Sequence, residues 1–260
     1  MGHQHLGTLP KTRRWQQVVD LLSGGADVRD VAAATSSAAE QQMVDASNDL
    51  GIRRSVWLLT QIPLAARSED FGNSLRRLGI EVPDQASLLD ITAAMTSALD
   101  AYIAKTGGRS DLGEMASMSL VESLIAVGGR QVQDLFGAHE RTKSALAGLA
   151  TEKQFSVLAR DFFSRLTRHQ LNYFLSRELS QHVGPNRRFR LIADHQAFEQ
   201  ALDLHCRQTS RIIKEFSGEW FSKQVFQGGI TEEQAGAFAH IAFKKMREEL
   251  RARRFQYAAA

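Results

Sequence analysis

Cysteine and proline are both scarce in this chain of 260 residues. Its one cysteine, Cys206, leaves no partner for an intrachain disulfide, and it excludes a cysteine-based zinc ribbon or an iron–sulfur cluster. Four prolines leave little room for a proline-rich linker or a collagen-like repeat. The sequence therefore lacks a disulfide framework, and a packed hydrophobic core must hold the fold together.

Long apolar segments are missing as well. No stretch of 18 residues lacks charged or strongly polar side chains, so we expect no transmembrane helix. The first residues, Met1 to Leu6, are not followed by the continuous apolar core of a secretory signal. Arginine outnumbers lysine 24 to 8 and alanine is abundant, a bias common in GC-rich bacterial genomes. Together these features predict a cytoplasmic bacterial protein.

The signatures of several large enzyme classes do not occur. There is no Gly-x-x-x-x-Gly-Lys-Ser/Thr phosphate loop, no Gly-x-Gly-x-x-Gly turn after a strand, no Gly-x-Ser-x-Gly elbow and no His-Glu-x-x-His pair. We therefore expect no cofactor. The sequence leaves enzymatic activity open and favours a non-enzymatic role.

What the chain does contain is unevenly distributed. Apolar residues make up 43% and charged residues 23%, as in globular proteins. Residues 1–150 carry 14 Lys and Arg against 17 Asp and Glu, whereas residues 151–260 carry 18 against 12. Aromatic residues number 5 and 15 in the two parts, and glycines 14 and 5. These shifts predict a mildly acidic unit over 1–150 and a basic, aromatic-rich unit over 151–260.

Helix punctuation recurs along the whole chain, while alternation of apolar and polar residues at period two is almost absent. The sequence therefore predicts an all-α, multi-helix bundle-like protein. Short helices are expected in the N-terminal unit over 12–22, 27–34, 37–46, 53–59, 68–78, 84–105 and 111–127. Three longer helices are expected in the C-terminal unit, over 151–182, 194–216 and from Thr231 towards Arg254.

Imidazole and carboxylate side chains are concentrated on the first two of these long helices. The set consists of His169, Glu178, His182, His195, Glu199, Asp203 and His205. Inward-facing groups of this kind on neighbouring helices are how bundle metal sites are built. The alternative is structural: a glutamate four residues from a histidine often forms a surface pair, and His169 and His205 fall within apolar stripes. We expect those two histidines to be buried and mainly structural.

The last predicted helix has a cationic face opposite an apolar face. The cations recur at helical spacing: Lys244, Arg247, Arg251 and Arg254. A second basic cluster lies after the first long helix: Arg187, Arg188 and Arg190. We expect the apolar face to dock on the other two long helices and the cations to point outward. Cationic strips bind nucleic-acid backbones, anionic lipids or acidic proteins, and sequence does not choose among them.

Two functions follow from these patterns. The first is a non-enzymatic helical scaffold or adaptor subunit of a bacterial multiprotein assembly, with a basic C-terminal surface for an acidic protein or a nucleic acid. The alternative is a helical metal-dependent enzyme that uses the His, Glu and Asp side chains between the helices 151–182 and 194–216.

Overall fold

Eleven α-helices make up the described part of the chain. The computed structural model describes residues 9–39, 48–107, 109–130 and 139–256, with side chains as far as residue 250. The helices are α1 (Arg13–Ser23), α2 (Val28–Ala38), α3 (Leu50–Ala65), α4 (Phe71–Arg77), α5 (Leu88–Thr106), α6 (Asp111–Ser123), α7 (His139–Gly148), α8 (Glu152–Leu179), α9 (Ile192–Thr209), α10 (Arg211–Phe226) and α11 (Glu232–Gln256). Within these ranges no β-strand forms, so the predicted all-α multi-helix fold is confirmed.

Two short segments of other helical types extend these elements. The π-helical turn Leu124–Gly128 continues α6, and the 3-10 turn Ser180–His182 continues α8. The helix predicted over 37–46 falls mostly on residues 40–47, which lie outside the described residues. None of the described helices has the length and apolar character that a bilayer span requires.

Side-chain caps set where several helices begin. The Thr151 hydroxyl accepts from the N–H of Gln154 at 3.3 Å at the start of α8. Before α11, the Gln234 side chain accepts from the N–H of Thr231 at 2.9 Å, and the Thr231 hydroxyl accepts from the N–H of Gln234 at 3.2 Å. These contacts satisfy N–H groups that the first turn of a helix leaves without partners. Both capped helices begin where the sequence predicted them, at residue 151 and at Thr231, to within one residue.

Two residues of types that often end helices, Pro63 and Gly218, lie inside helices in this structure. α3 runs through Pro63 to Ala65, because a proline so near the end of a helix costs one backbone hydrogen bond while its ring is buried in the core. Gly218 lies within α10, where a Cβ atom would come within 2.5 Å of the Glu152 carbonyl oxygen. This glycine therefore allows α10 to approach the start of α8 closely and does not end a helix.

The second long helix is also divided. The sequence predicted one helix over 194–216, but α9 ends at Thr209 and α10 starts at Arg211. The described part of the C-terminal region thus has four helices where three were expected. The break falls at the buried Ser210, whose hydroxyl donates to the Arg207 carbonyl at 3.0 Å.

Buried side chains form two hydrophobic clusters. The larger one includes Leu59, Phe162 and Phe238, and the smaller one includes Trp15 and Phe198. Each cluster draws on residues from both sides of position 150, and α8 contributes to both. The change in composition near residue 150 therefore does not coincide with a division of the buried core. The two-unit organisation itself stays a prediction.

The apolar face of α11 is buried as the helical period predicts. Its buried members are Ala235, Phe238, Ala239, Ala242, Phe243, Met246 and Leu250. Phe163 of α8 and Phe216 of α10 contact Phe238, as expected for docking on the long helices predicted over 151–182 and 194–216. α11 also packs against α2 and α3, which the sequence did not predict.

Candidate functional site

His169 contacts Glu122 of α6, which was not a candidate from the sequence. The His169 Nε2 atom lies 3.1 Å from Glu122 Oε1, and the Arg165 guanidinium donates to Glu122 Oε2 at 2.9 Å. Arg168 approaches the same carboxylate oxygen at 3.5 Å. His169 is thus partly buried in an ion-paired setting and does not lie within the apolar core.

Further ion pairs extend this arrangement along α8 and on to α9. Arg165 donates to Asp161 at 2.6 Å, and Arg168 lies 3.6 Å from Asp203. Arg207 donates to the other oxygen of Asp203 at 2.9 Å. The carboxylates at this junction of α6, α8 and α9 are therefore bound by arginine side chains, an arrangement that connects three helices.

Glu122 gives this network a defined response to pH. The hydrogen bond with His169 lowers the pKa of Glu122 from its ordinary value of 4.5 to about 2; partial burial opposes this change and Arg165 reinforces it. A carboxyl whose pKa is lowered by folding stabilises the protein above its unfolded pKa, and that stability is lost as it becomes protonated in the folded state. We expect the free energy of unfolding to fall between pH 4.5 and about 2. Urea unfolding at pH 7, 4.5 and 2.5 measures this loss.

The Glu122→Gln variant is the matched control, because it keeps the shape of the side chain and removes its titration. We expect it to be less stable than the wild type at pH 7 and to lose less stability between pH 4.5 and 2.5. Equal losses for both proteins would show that Glu122 does not cause the acid sensitivity.

The other predicted metal ligands lie in different settings. The His195 Nε2 atom lies 3.8 Å from Glu199 Oε1, and Glu199 and Asp203 line a cavity of about 560 Å³ between α8 and α9. His205 is 3% exposed, so its predicted burial is confirmed. Among the described residues, no three His, Cys, Asp or Glu side chains form a group that could hold a metal ion.

Glu178 and His182 lie at the far end of α8, away from that cavity. Glu178 lines a groove against α1, and His182 belongs to the 3-10 turn. Partial burial lowers the pKa of His182. Six of the seven predicted residues are thus spread along α8 and α9, and His182 lies in the turn that follows α8.

Arg188 of the predicted basic cluster points inward. Its guanidinium donates to the backbone carbonyls of Leu21 at 3.2 Å, Leu22 at 3.0 Å and Ala26, at and just after the end of α1. It also lies over the ring of Phe198, 4.9 Å from its centroid. Burial lowers the pKa of this arginine. Arg188 therefore fixes its loop to α1 and is not part of an outward basic surface.

The other two arginines of this cluster point to solvent. Arg187 and Arg190 are exposed, and the next two residues, Leu191 and Ile192, are 65% and 69% exposed. We refer to residues 184–191, together with Ile192 at the start of α9, as the presentation loop. The buried Phe189 anchors this loop to the protein, and the Phe189 N–H donates to the His182 carbonyl at 2.9 Å. The loop thus combines a fixed base with a cationic and aliphatic outer side.

The basic face of α11 is only partly described. Lys244 is exposed, whereas Arg247 is half-buried and its Nε atom is shielded from solvent. Arg251 and Arg254 continue the helix, but their side chains lie outside the described residues. The structure therefore places one cation of this face, Lys244, in an outward position.

A cavity of about 400 Å³ lies where the starts of α3 and α6 meet the middle of α8. Its lining residues are Asn48, Asp49, Ser110, Asp111, Leu112, Met115, Gln170, Tyr173 and Phe174. None of them was a candidate from the sequence. Asp49 and Ser110 are residue types that typically cap helices, and this can be read from the sequence. Nothing in the neighbouring sequence indicates that Gln170, 60 residues after Ser110, lines the same cavity.

No protein-family model, curated protein or solved structure matches this chain at a significant level.

Proposed function

We propose that this protein is a non-enzymatic helical adaptor subunit that binds an acidic protein partner through the presentation loop. The observation that carries the proposal is the outer side of that loop, where two exposed arginines stand next to two exposed aliphatic side chains, Leu191 and Ile192. Arginine is enriched at protein interfaces and among their energetically important residues, and the buried centre of an interface is more apolar than its rim.

The base of the loop supports this proposal, because it reduces the entropy that binding would cost. Gly184 donates to the carbonyl of Phe189 at 2.8 Å, and Asn186 takes a left-handed φ of 61° that closes the turn. Arg188 adds its bonds to the end of α1. A loop held in place before binding loses little conformational freedom when a partner docks.

The aliphatic side chains favour a protein over a nucleic acid. Protein surfaces that bind nucleic acids use cations to contact phosphates and aromatic side chains to stack against bases. Leu191 and Ile192 offer neither, and on a protein partner they would fill an apolar depression beside carboxylates. A second contact region for the same class of partner is predicted on α11. Its residues are Lys244, Arg251 and Arg254, and their helical spacing in the sequence supports the prediction.

The test is a loop variant that carries Arg187→Glu, Arg190→Glu, Leu191→Ser and Ile192→Ser. We expect it to fold, since serine is a favourable residue at a helix N-terminus. The matched control is Lys214→Glu with Lys223→Glu, which makes the same charge change at two exposed positions of α10. Each protein is used to capture partners from bacterial extract, with quantitative mass spectrometry, and the captured protein is then purified and its affinity measured.

We expect an acidic protein that binds the wild type and the control, and whose affinity for the loop variant falls at least tenfold. Equal affinity for all three proteins would contradict the proposal. Capture of nucleic acid in place of protein, with binding that weakens steeply as salt rises, would instead assign the basic residues to a polyanion.

A further inference from the structure

A second feature, separate from the presentation loop, is the cavity between α3, α6 and α8. We infer that it binds a small, uncharged, planar molecule whose edge carries a hydrogen-bond donor next to an acceptor, as in an aromatic carboxamide or a nucleobase.

The walls are held in place by the caps of two helices. Asp49, the cap of α3, accepts from the N–H of Ile52 at 2.9 Å and also from the hydroxyl of Ser110. Ser110 in turn caps α6 and accepts from the N–H of Gly113 at 2.9 Å. A Cβ atom on Gly51 would lie 2.6 Å from Gly113 Cα, so the two helix starts are in direct backbone contact. The cavity is therefore preformed.

Gln170 supplies the polar group that points to a ligand. It lines the cavity, is 1% exposed, and neither its amide nitrogen nor its amide oxygen has a hydrogen-bond partner among the described residues. Most buried polar side chains in folded proteins are hydrogen-bonded, and one left without partners costs free energy. A ligand edge with one acceptor and one donor satisfies both atoms, as when glutamine pairs with two adjacent atoms of adenine.

The other lining residues define the rest of the ligand. Leu112, Met115 and Phe174 form an apolar surface suited to a flat ring. Asp49 and Asp111 place two carboxylates in the wall, and none of the nine lining residues is a lysine, arginine or histidine. Since the described lining residues include acidic groups and no basic group, the wall disfavours an anionic ligand. Tyr173, another lining residue, donates to Asp111.

The experiment uses two neutral probes, nicotinamide and adenosine, each with an anionic counterpart, nicotinate and adenosine monophosphate. Binding to the full-length protein is measured by calorimetry and by the shift in melting temperature. We expect at least one neutral probe to bind, with at least tenfold lower affinity for its anionic counterpart.

Gln170→Met tests the buried amide, because methionine nearly matches glutamine in volume and has no amide. We expect it to weaken binding of the neutral probe at least tenfold and to raise the melting temperature of the unliganded protein by about 2–4 °C, since an unsatisfied buried group is removed. The matched control is Gln224→Met on α10, whose amide oxygen is also buried without a partner but lies outside the cavity lining. We expect this control to bind the probe as the wild type does.

Three outcomes would overturn the inference: neither neutral probe binds, the anionic counterparts bind as tightly as the neutral probes, or Gln170→Met binds as well as Gln224→Met. The test is independent of the proposed partner, because the presentation-loop variant leaves every lining residue of the cavity unchanged.

Discussion

Replacing Arg54 by methionine is expected to lower the free energy of unfolding by about 3 kcal/mol, because it leaves a partly buried carboxylate without its cation. Arg54 is 14% exposed and pairs with Glu232, at the start of α11, at 2.5 Å. It also donates to the Leu78 carbonyl at 2.7 Å and lies over the rings of Trp57 and Tyr102, at 4.2 and 4.8 Å from their centroids. Urea unfolding followed by far-UV circular dichroism measures the loss.

The matched control for this substitution is Arg109→Met. Arg109 also pairs with a glutamate, Glu114 at 2.8 Å, but its side chain is 78% exposed. Exposed ion pairs contribute less than about 1 kcal/mol, so this variant should be almost as stable as the wild type. Similar losses for both variants would show that the burial of Arg54 gives its pair no additional strength.

The same experiment bears on the predicted division at residue 150. Arg54 lies before that position and Glu232 after it, and Tyr102 donates to the second oxygen of Glu232 at 2.9 Å. If the two parts unfold together, circular dichroism and tryptophan fluorescence will give one coincident transition in the wild type and in Arg54→Met. If they are separable units, the two probes will report different midpoints.

The features that the sequence predicted well are those determined by neighbouring residues. Thr151 and Thr231 cap their helices because their side chains reach N–H groups three residues away, and that spacing is visible in the sequence. The apolar face of α11 follows from the helical period in the same way. Local spacing therefore sufficed for the fold class and for the positions of most helices.

The features that the sequence predicted poorly depend on contacts between residues that are far apart in the chain. Gly218 resembles a helix stop, but its role is set by the backbone of Glu152, 66 residues earlier. Arg188 resembles part of a basic surface, yet its guanidinium binds carbonyls at the end of α1, more than 160 residues away. Periodicity and capping patterns contain no information on such partners.

The candidate sites show the same limit. The exposed pair Leu191 and Ile192 can be read in the sequence only as apolar residues, which ordinarily indicate a core. Gln170 lies within the apolar pattern of α8, and the sequence does not show that its amide has no partner within the described part of the chain or that it lines a cavity beside the starts of α3 and α6. Each site thus results from packing that brings ordinary residues into an unusual environment.

Replacing Phe163 by alanine is expected to lower the free energy of unfolding by about 3–5 kcal/mol, the usual cost of removing a buried phenylalanine. Phe163 is 0% exposed, and its ring makes edge contacts with Phe162 at 5.1 Å, Phe238 at 5.8 Å and Phe243 at 5.7 Å. The last two belong to α11, so the cavity left by alanine opens directly between α8 and α11.

The same substitution at Phe226 is the matched control, because that side chain is 92% exposed and removing it should change the free energy of unfolding by less than about 0.5 kcal/mol. Trp220, which stacks on Phe238 at 4.1 Å, makes tryptophan fluorescence sensitive to the seating of α11. We expect the midpoint in urea to fall sharply for Phe163→Ala and to stay close to the wild-type value for Phe226→Ala. Because α11 packs against helices from both ends of the chain, equal midpoints for the two variants would mean that its attachment does not depend on this aromatic cluster.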